Sequence, residues 1–335
     1  MGTSIIVEIV FLVFMIILTL TTNVITLLVI ACTDYLRNIN KVYLYSVTIS
    51  DLCIGVFIFP FALYSAVINL YGTPEIDPKL CHIQAYLTVV LFLSGLYAIA
   101  WMNVDHYVAV RKPERYKVMM SPPRSLCWIA FAWIAAISFC CPPVLSYSEI
   151  DQYYTEVYLC AVNFGSEIPY FISAAILALL PAFLVLIITN VYLFTHGFRK
   201  KQKMYEAVLL DVSSRPRNYQ INFIVSSIYA GTWLPWCITR IISYYVIIPD
   251  LIHFLTFWAA MGNGFYKFFV YITMSLEYRR GLQELVRMCC KVRRCCCCKP
   301  ENRNPRQITA PANPTLAATR ILTKPSTSGP PPANV

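Results

Sequence analysis

Seven long apolar runs, separated by short polar stretches, make up most of the chain. They are Ile5–Ala31, Val42–Ile68, Leu80–Val110, Leu126–Leu145, Ile168–Phe198, Asn218–Ile247 and Leu251–Leu276. A helix needs about 20 mostly apolar residues to cross the hydrocarbon of a bilayer. Hydrocarbon supplies no partner for open backbone groups, so each run is predicted to be a helix. The third and fifth are long enough to tilt or to project past the lipid. The first has no basic leader and no small-residue cleavage site, so it is predicted to be a true span. The expected organisation is a short terminus over 1–5, a seven-helix bundle over 5–276, an amphipathic, cysteine-rich segment over 277–298 and a disordered tail over 299–335 rich in Pro, Ala and Thr.

Charge supplies the orientation. Of the 27 Lys and Arg, 24 fall on one side of the seven runs, among them Arg111, Lys112, Arg115, Lys200 and eleven from Arg279 onward. The opposite loops hold Lys79 alone and are acidic, with Glu75, Asp77, Glu149, Asp151, Glu156, Glu167 and Asp250. The positive-inside rule then puts the amino terminus outside and the carboxyl terminus in the cytosol, as expected of a multi-pass plasma-membrane protein. Composition agrees: 58% of residues are hydrophobic and 13% charged, against about 25% charged in soluble domains. A soluble enzyme, a disordered chain and a nucleic-acid binder are excluded despite the net charge of +10. No nucleophile–base pair or metal-ligand set is evident, so neither an enzyme nor a cofactor is expected. The halves show no repeat and the spans no interruption of the transporter kind.

Motifs in order along the runs resemble the rhodopsin-like G-protein-coupled receptors. Asn23 marks the first span, Asp51 the second and Cys81 the start of the third. Asp105-His106-Tyr107 closes the third in the place of the family's Asp-Arg-Tyr, at the family's interval from Cys81. Trp133, Pro181 and Thr232-Trp233-Leu234-Pro235 mark the next three. Trp258, Asn263 and Tyr271 mark the seventh, and Tyr278 stands where an aromatic opens a short amphipathic eighth helix. The resemblance spans Ile5 to Cys290 and implies an all-α, seven-transmembrane helix bundle that passes a signal from an extracellular ligand to a heterotrimeric G protein. Several positions depart from the pattern. His106 replaces the arginine, Lys267-Phe268-Phe269-Val270-Tyr271 replaces Asn-Pro-x-x-Tyr, Gly95 replaces a frequent serine and Thr189 a tyrosine. They mark a divergent, orphan-type member.

Within that frame, Asp51 and Lys267 stand out, because charges inside spans are rare and usually paired. Counted from the cytosolic markers Lys41 and Arg279, they lie at depths of about 15 and about 18 Å, nearly one level. The family places these two positions across a small cavity that holds sodium and water. An Asp51–Lys267 ion pair filling it, with room left by Gly95, is one expectation; snorkelling of Lys267 along a water channel is the other. Met261, not Lys267, occupies the place of the retinal-binding lysine, so retinal is not expected.

Cys81 and Cys160 both face the oxidising side and are expected to form a disulfide, the alternative being two free thiols. Cys289, Cys290, Cys295, Cys296, Cys297 and Cys298 follow an amphipathic stretch and alternate with Lys291, Arg293 and Arg294, which suits S-palmitoylation at an anionic lipid surface better than zinc. The remaining cysteines are expected to be packing residues. His106 titrates near neutrality, unlike an arginine, and no acid stands at the foot of the sixth span, where Arg215 lies. Both halves of the family's cytosolic lock are therefore weak, which predicts either basal activity or impaired coupling. The family's ligand pocket maps to Thr88, Val89 and Phe92; Ser173 and Leu177; Trp233, Trp236, Cys237 and Arg240; and His253 and Phe257. Thr88 replaces the aspartate with which amine receptors bind an ammonium. Arg240 could bind a carboxylate or an acidic peptide, or pair with Asp250 or Glu156. The competing function is a non-signalling receptor-like partner or scaffold, acting through a dimer with another receptor.

Overall fold

The computed structural model describes residues 2–32, 41–72, 76–145, 151–162, 173, 175–207, 218–243 and 245–297. Seven helical rods follow one another among these residues. The first, α1, is Gly2–Cys32, so residues 2–5, read as a terminal tail, already belong to the helix. Helix α2 is Lys41–Leu70, with a wide π turn over Ile54–Ile58. Helix α3 is Pro78–Arg111, opened by Asp77, whose carboxylate accepts from the Lys79 N–H at 2.8 Å. Helical turns at Pro113–Arg115 and Tyr116–Met119 lead to α4, Pro122–Leu145. A π turn at Ala175–Leu179 opens α5, Leu180–Ala207, and α6 is Asn218–Ile242. By length and composition, Ile5–Cys32, α2, α3, Ile176–Thr195 and Gln220–Ile242 are each apolar enough to cross a membrane.

The seventh rod, α7, is not one helix as the sequence suggests but two, Asp250–Met261 and Asn263–Met274. They meet at Gly262, where a Cβ would sit 2.9 Å from the Tyr266 hydroxyl. Helix α8, Leu276–Cys297, follows, and its last residues, 292–297, form a unit separate from the bundle. A second departure is a β-hairpin in the loop after α4, with β1 (Asp151–Tyr154) antiparallel to β2 (Leu159–Val162). Its turn holds Tyr158 at φ 59°, a conformation that costs a bulky residue energy. That residue is nonetheless buried. Its hydroxyl donates to Glu8 on α1 and its ring meets Phe254 edge-on.

The outer faces of the rods are apolar, unlike those of a water-soluble protein, and polar side chains are buried within a largely apolar interior. Val10, Phe14 and Ile17 on the outer face of α1 are more than half exposed, whereas Thr19, Asn23 and Thr26 are 1% exposed or less. Polar side chains facing one another and aliphatic side chains facing outward are the arrangement that lipid favours. The interior polar groups join neighbouring rods: the Trp133 Nε1–H donates to Ser46 at 3.0 Å, and Ser50 and Ser94 share a bond of 2.9 Å.

Candidate functional site

Polar chemistry collects at three levels of the bundle. At mid-height, Lys267 Nζ donates to Asp51 Oδ2, and the lysine side chain is 4% exposed. The contact depends on close approach of α7 to α2. Gly264, one turn before Lys267, provides it, since a Cβ there would already lie 3.4 Å from the Asp51 Cβ. Asn23 binds the same turn to α1, its Nδ2 donating to the carbonyls of Gly264 (3.0 Å) and Thr19 (2.8 Å). Asn263 Nδ2 binds it to α6 through the Thr232 hydroxyl, at 2.7 Å.

From this level a cavity of about 390 Å³ runs toward the hairpin. Thr88, Val89, Phe92, Trp233, Trp236, Cys237, Arg240, His253 and Phe257 line it, and Asp51, Gly95 and Lys267 stand in the same wall. The rings form a chain: Phe92–Trp233 at 4.6 Å between centroids, Trp233–Trp236 at 5.7 Å and Trp236–Phe257 at 5.7 Å. Leu177 is a correction to the sequence reading. It is 61% exposed on the outer face, while its neighbours Ala178 and Leu179 line the cavity. The π turn at Ala175–Leu179 rotates the helix face relative to an ideal α-helix, which carries Leu177 away. Ser173 precedes that turn, is exposed and is not part of the lining.

The hairpin borders the cavity. Tyr154, Val157, Leu159, Cys160 and Ala161 contribute wall, and the Cys81–Cys160 disulfide ties the hairpin to α3. Gln84 supports the link, its Oε1 accepting from the Cys160 N–H at 2.7 Å while its Nε2 donates to Thr88 at 2.7 Å. Arg240 reaches the hairpin, donating to Glu156 at 3.2 Å with its guanidinium 4.9 Å from the centre of the Tyr154 ring. Burial pushes the Tyr153 phenol up to about 12, opposed by the nearby Ser65 hydroxyl and reinforced by Glu156. Tyr158 is likewise raised, by burial and then by its bond to Glu8. These hairpin partners carry no recognisable motif. Only the acidity of the loop pointed to Glu156.

At the opposite end, Asp105 accepts from the Tyr116 hydroxyl at 3.0 and 3.2 Å, while His106 Nδ1 lies 3.8 Å from its carboxylate. His106 instead meets α6: Asn222 Nδ2 is 2.9 Å from its Nδ1, which is also 2.9 Å from the Met102 carbonyl. One ring nitrogen cannot accept from the amide and donate to the carbonyl at once, so the tautomer decides which bond is made. Tyr107 packs against Tyr192 at 4.7 Å. The arrangement of rods, disulfide and motif residues fits one family, and residues 22–274 match the model of the 7 transmembrane receptor (rhodopsin family).

The chain belongs to that family. The receptor is 24% identical to the mouse G-protein coupled receptor 52 over 69% of this chain and 67% of that protein. It is 22% identical to the mouse probable G-protein coupled receptor 21, over 83% and 82%. To the human histamine H2 receptor it is 22% identical, over 89% and 82%. It is therefore a multi-pass membrane receptor and not an enzyme. The Pro235 position lies within α6 and Tyr271 is buried, its hydroxyl 3.9 Å from the Met102 sulfur. Tyr278 is also buried and bonds Thr26 at 3.0 Å, which docks α8 on α1. Cys289 and Cys290 are exposed; Cys295, Cys296 and Cys297 lie on α8 without described side chains, and Cys298 lies outside the described residues. Cys32, Cys127 and Cys237, expected to be packed, are exposed.

Proposed function

We propose that the chain is a plasma-membrane receptor with its hairpin end outside, which passes a non-amine, acidic or peptide signal, or a basal signal, to a heterotrimeric G protein. The observation that carries this is a cavity at one end of a family-type bundle with Trp233 of α6 in its wall, while Asn222 of the same helix meets His106 at the other end. A ligand acts by favouring one of two packings of that helix, which the G protein reads at the far end. Thr88 argues against an amine, because its hydroxyl is already bonded to Gln84 and carries no charge. Lys267 takes the place of sodium beside Asp51 and so removes the sodium brake on activation. Palmitoylation of the α8 cysteines, from Cys289 to Cys298, holds that segment at anionic lipid.

One observation favours a second reading. The His106–Asn222 contact is short, and it offers a G protein no guanidinium. A receptor-like scaffold that dimerises with another receptor would need none. Guanine-nucleotide exchange in nanodiscs carrying the chain and a purified heterotrimer separates the two. Exchange above empty discs supports the receptor. Silence in the parent, with exchange gained in His106→Arg, supports the scaffold.

A further inference from the structure

The ring chain fixes the heights of two polar groups of the lining, Arg240 and His253. Trp236 and Phe257 touch across α6 and α7. Arg240 is four residues beyond Trp236 and His253 four residues before Phe257. The two helices run in opposite directions, so both side chains lie one turn, about 6 Å, on the hairpin side of that contact. Beneath them the wall is aromatic; at their level it is basic.

Neither group is fully used. His253 is 6% exposed, lines the cavity, and its Nδ1 has no hydrogen-bond partner among the described residues. A buried polar atom left without a partner costs free energy that a ligand atom can recover. Arg240 has five N–H groups in a planar fork, of which Nη1 is directed at Glu156. The carboxylate in the wall, Asp51, is held by Lys267, so an ammonium ligand finds no free acid there. The hairpin borders the cavity, whose volume suits a drug-sized molecule.

We infer that the cavity binds a compact apolar carboxylic acid, its carboxylate held between Arg240 and His253 and its body among Trp236, Phe257, Trp233 and Phe92. A planar carboxylate can share the guanidinium with Glu156 and accept from His253 when the ring proton is on Nδ1. The inference deepens the receptor reading and rests on it for the consequence of binding.

The probe is pyrenebutyric acid, compared with its methyl ester and with pyrenebutylamine, in nanodiscs carrying the full chain. Energy transfer from tryptophan to pyrene reports occupancy beside Trp233 and Trp236. The acid should give saturable transfer about tenfold or more tighter than the ester or the amine, the size expected of charge-assisted hydrogen bonds in a dry site. Arg240→Leu and His253→Phe should each bring the acid down toward the ester, with ester binding unchanged, which shows that the variants retain the cavity. Equal affinity of the three probes, survival of the acid preference in both variants, or no saturable transfer at all would overturn the inference. Nucleotide exchange in the same discs keeps the two readings apart. Acid preference without exchange supports the site and contradicts the receptor; exchange without acid preference supports the receptor and contradicts the site.

Discussion

The contact between Lys267 and Asp51 organises the middle of the bundle, with Gly264, Asn23 and Asn263 packed around it. Removing one partner of a buried pair leaves the other charge uncompensated and costs about 3–5 kcal/mol, whereas replacing both with neutral groups costs far less. Lys267→Met is therefore expected to lower the thermal stability of the purified chain by that amount, and Asp51→Asn combined with it to recover most of the loss. Tryptophan-monitored melting tests this; a single variant as stable as the parent would contradict the pairing. Both residues were legible in the sequence, because charge inside an apolar run is conspicuous and depth can be counted from the flanking basic residues. Leu177 was misread because a π turn cannot be seen in an apolar run. Asn222 was missed because a neutral amide near a helix end gives no signal until its partner, His106, is in view.

At the scale of elements, the runs marked the rods to within about five residues, since lipid demands helices of a set length, except that α5 continues to Ala207, nine residues past the end of its run. The hairpin went unread. Its strands are four residues each, and its stability comes from long-range ties: the disulfide across 79 positions, Gln84, and Tyr158 to Glu8. On the chain-entropy account a loop of that size restrains the unfolded chain by about 4–5 kcal/mol. Cys160→Ala should therefore speed backbone hydrogen exchange over 151–162 while leaving α1 protected; unchanged exchange in the hairpin would show the tie to be dispensable. The raised phenols add a pH dependence. A tyrosine whose folded value exceeds the ordinary value of about 10 stabilises the fold below that pH and loses the contribution as pH climbs through the folded value. For Tyr153 the window is from about 10 to about 12. The tyrosinate difference spectrum between the parent and Tyr153→Phe should show this residue titrating late; titration near 10 would mean that the hairpin does not bury it.

For the whole molecule, a seven-rod bundle with aliphatic residues on its outer faces and polar groups set within an apolar interior follows from treating lipid as the solvent. On the proposed orientation, argued from the basic residues on one side, the amino terminus lies outside. Epitope tags at the two ends should stain on opposite faces of intact cells, and both on one face would refute the orientation. What belongs to the molecule as a whole and to no single element is that its interior carries its own cation, at the level where the family's rods enclose sodium. The most direct measurement is basal guanine-nucleotide exchange in nanodiscs, with sodium replaced by choline at constant ionic strength. Exchange that stays level across the replacement, and becomes sodium-sensitive in Lys267→Met, is the predicted result. Suppression of the parent's exchange by sodium would contradict the claim.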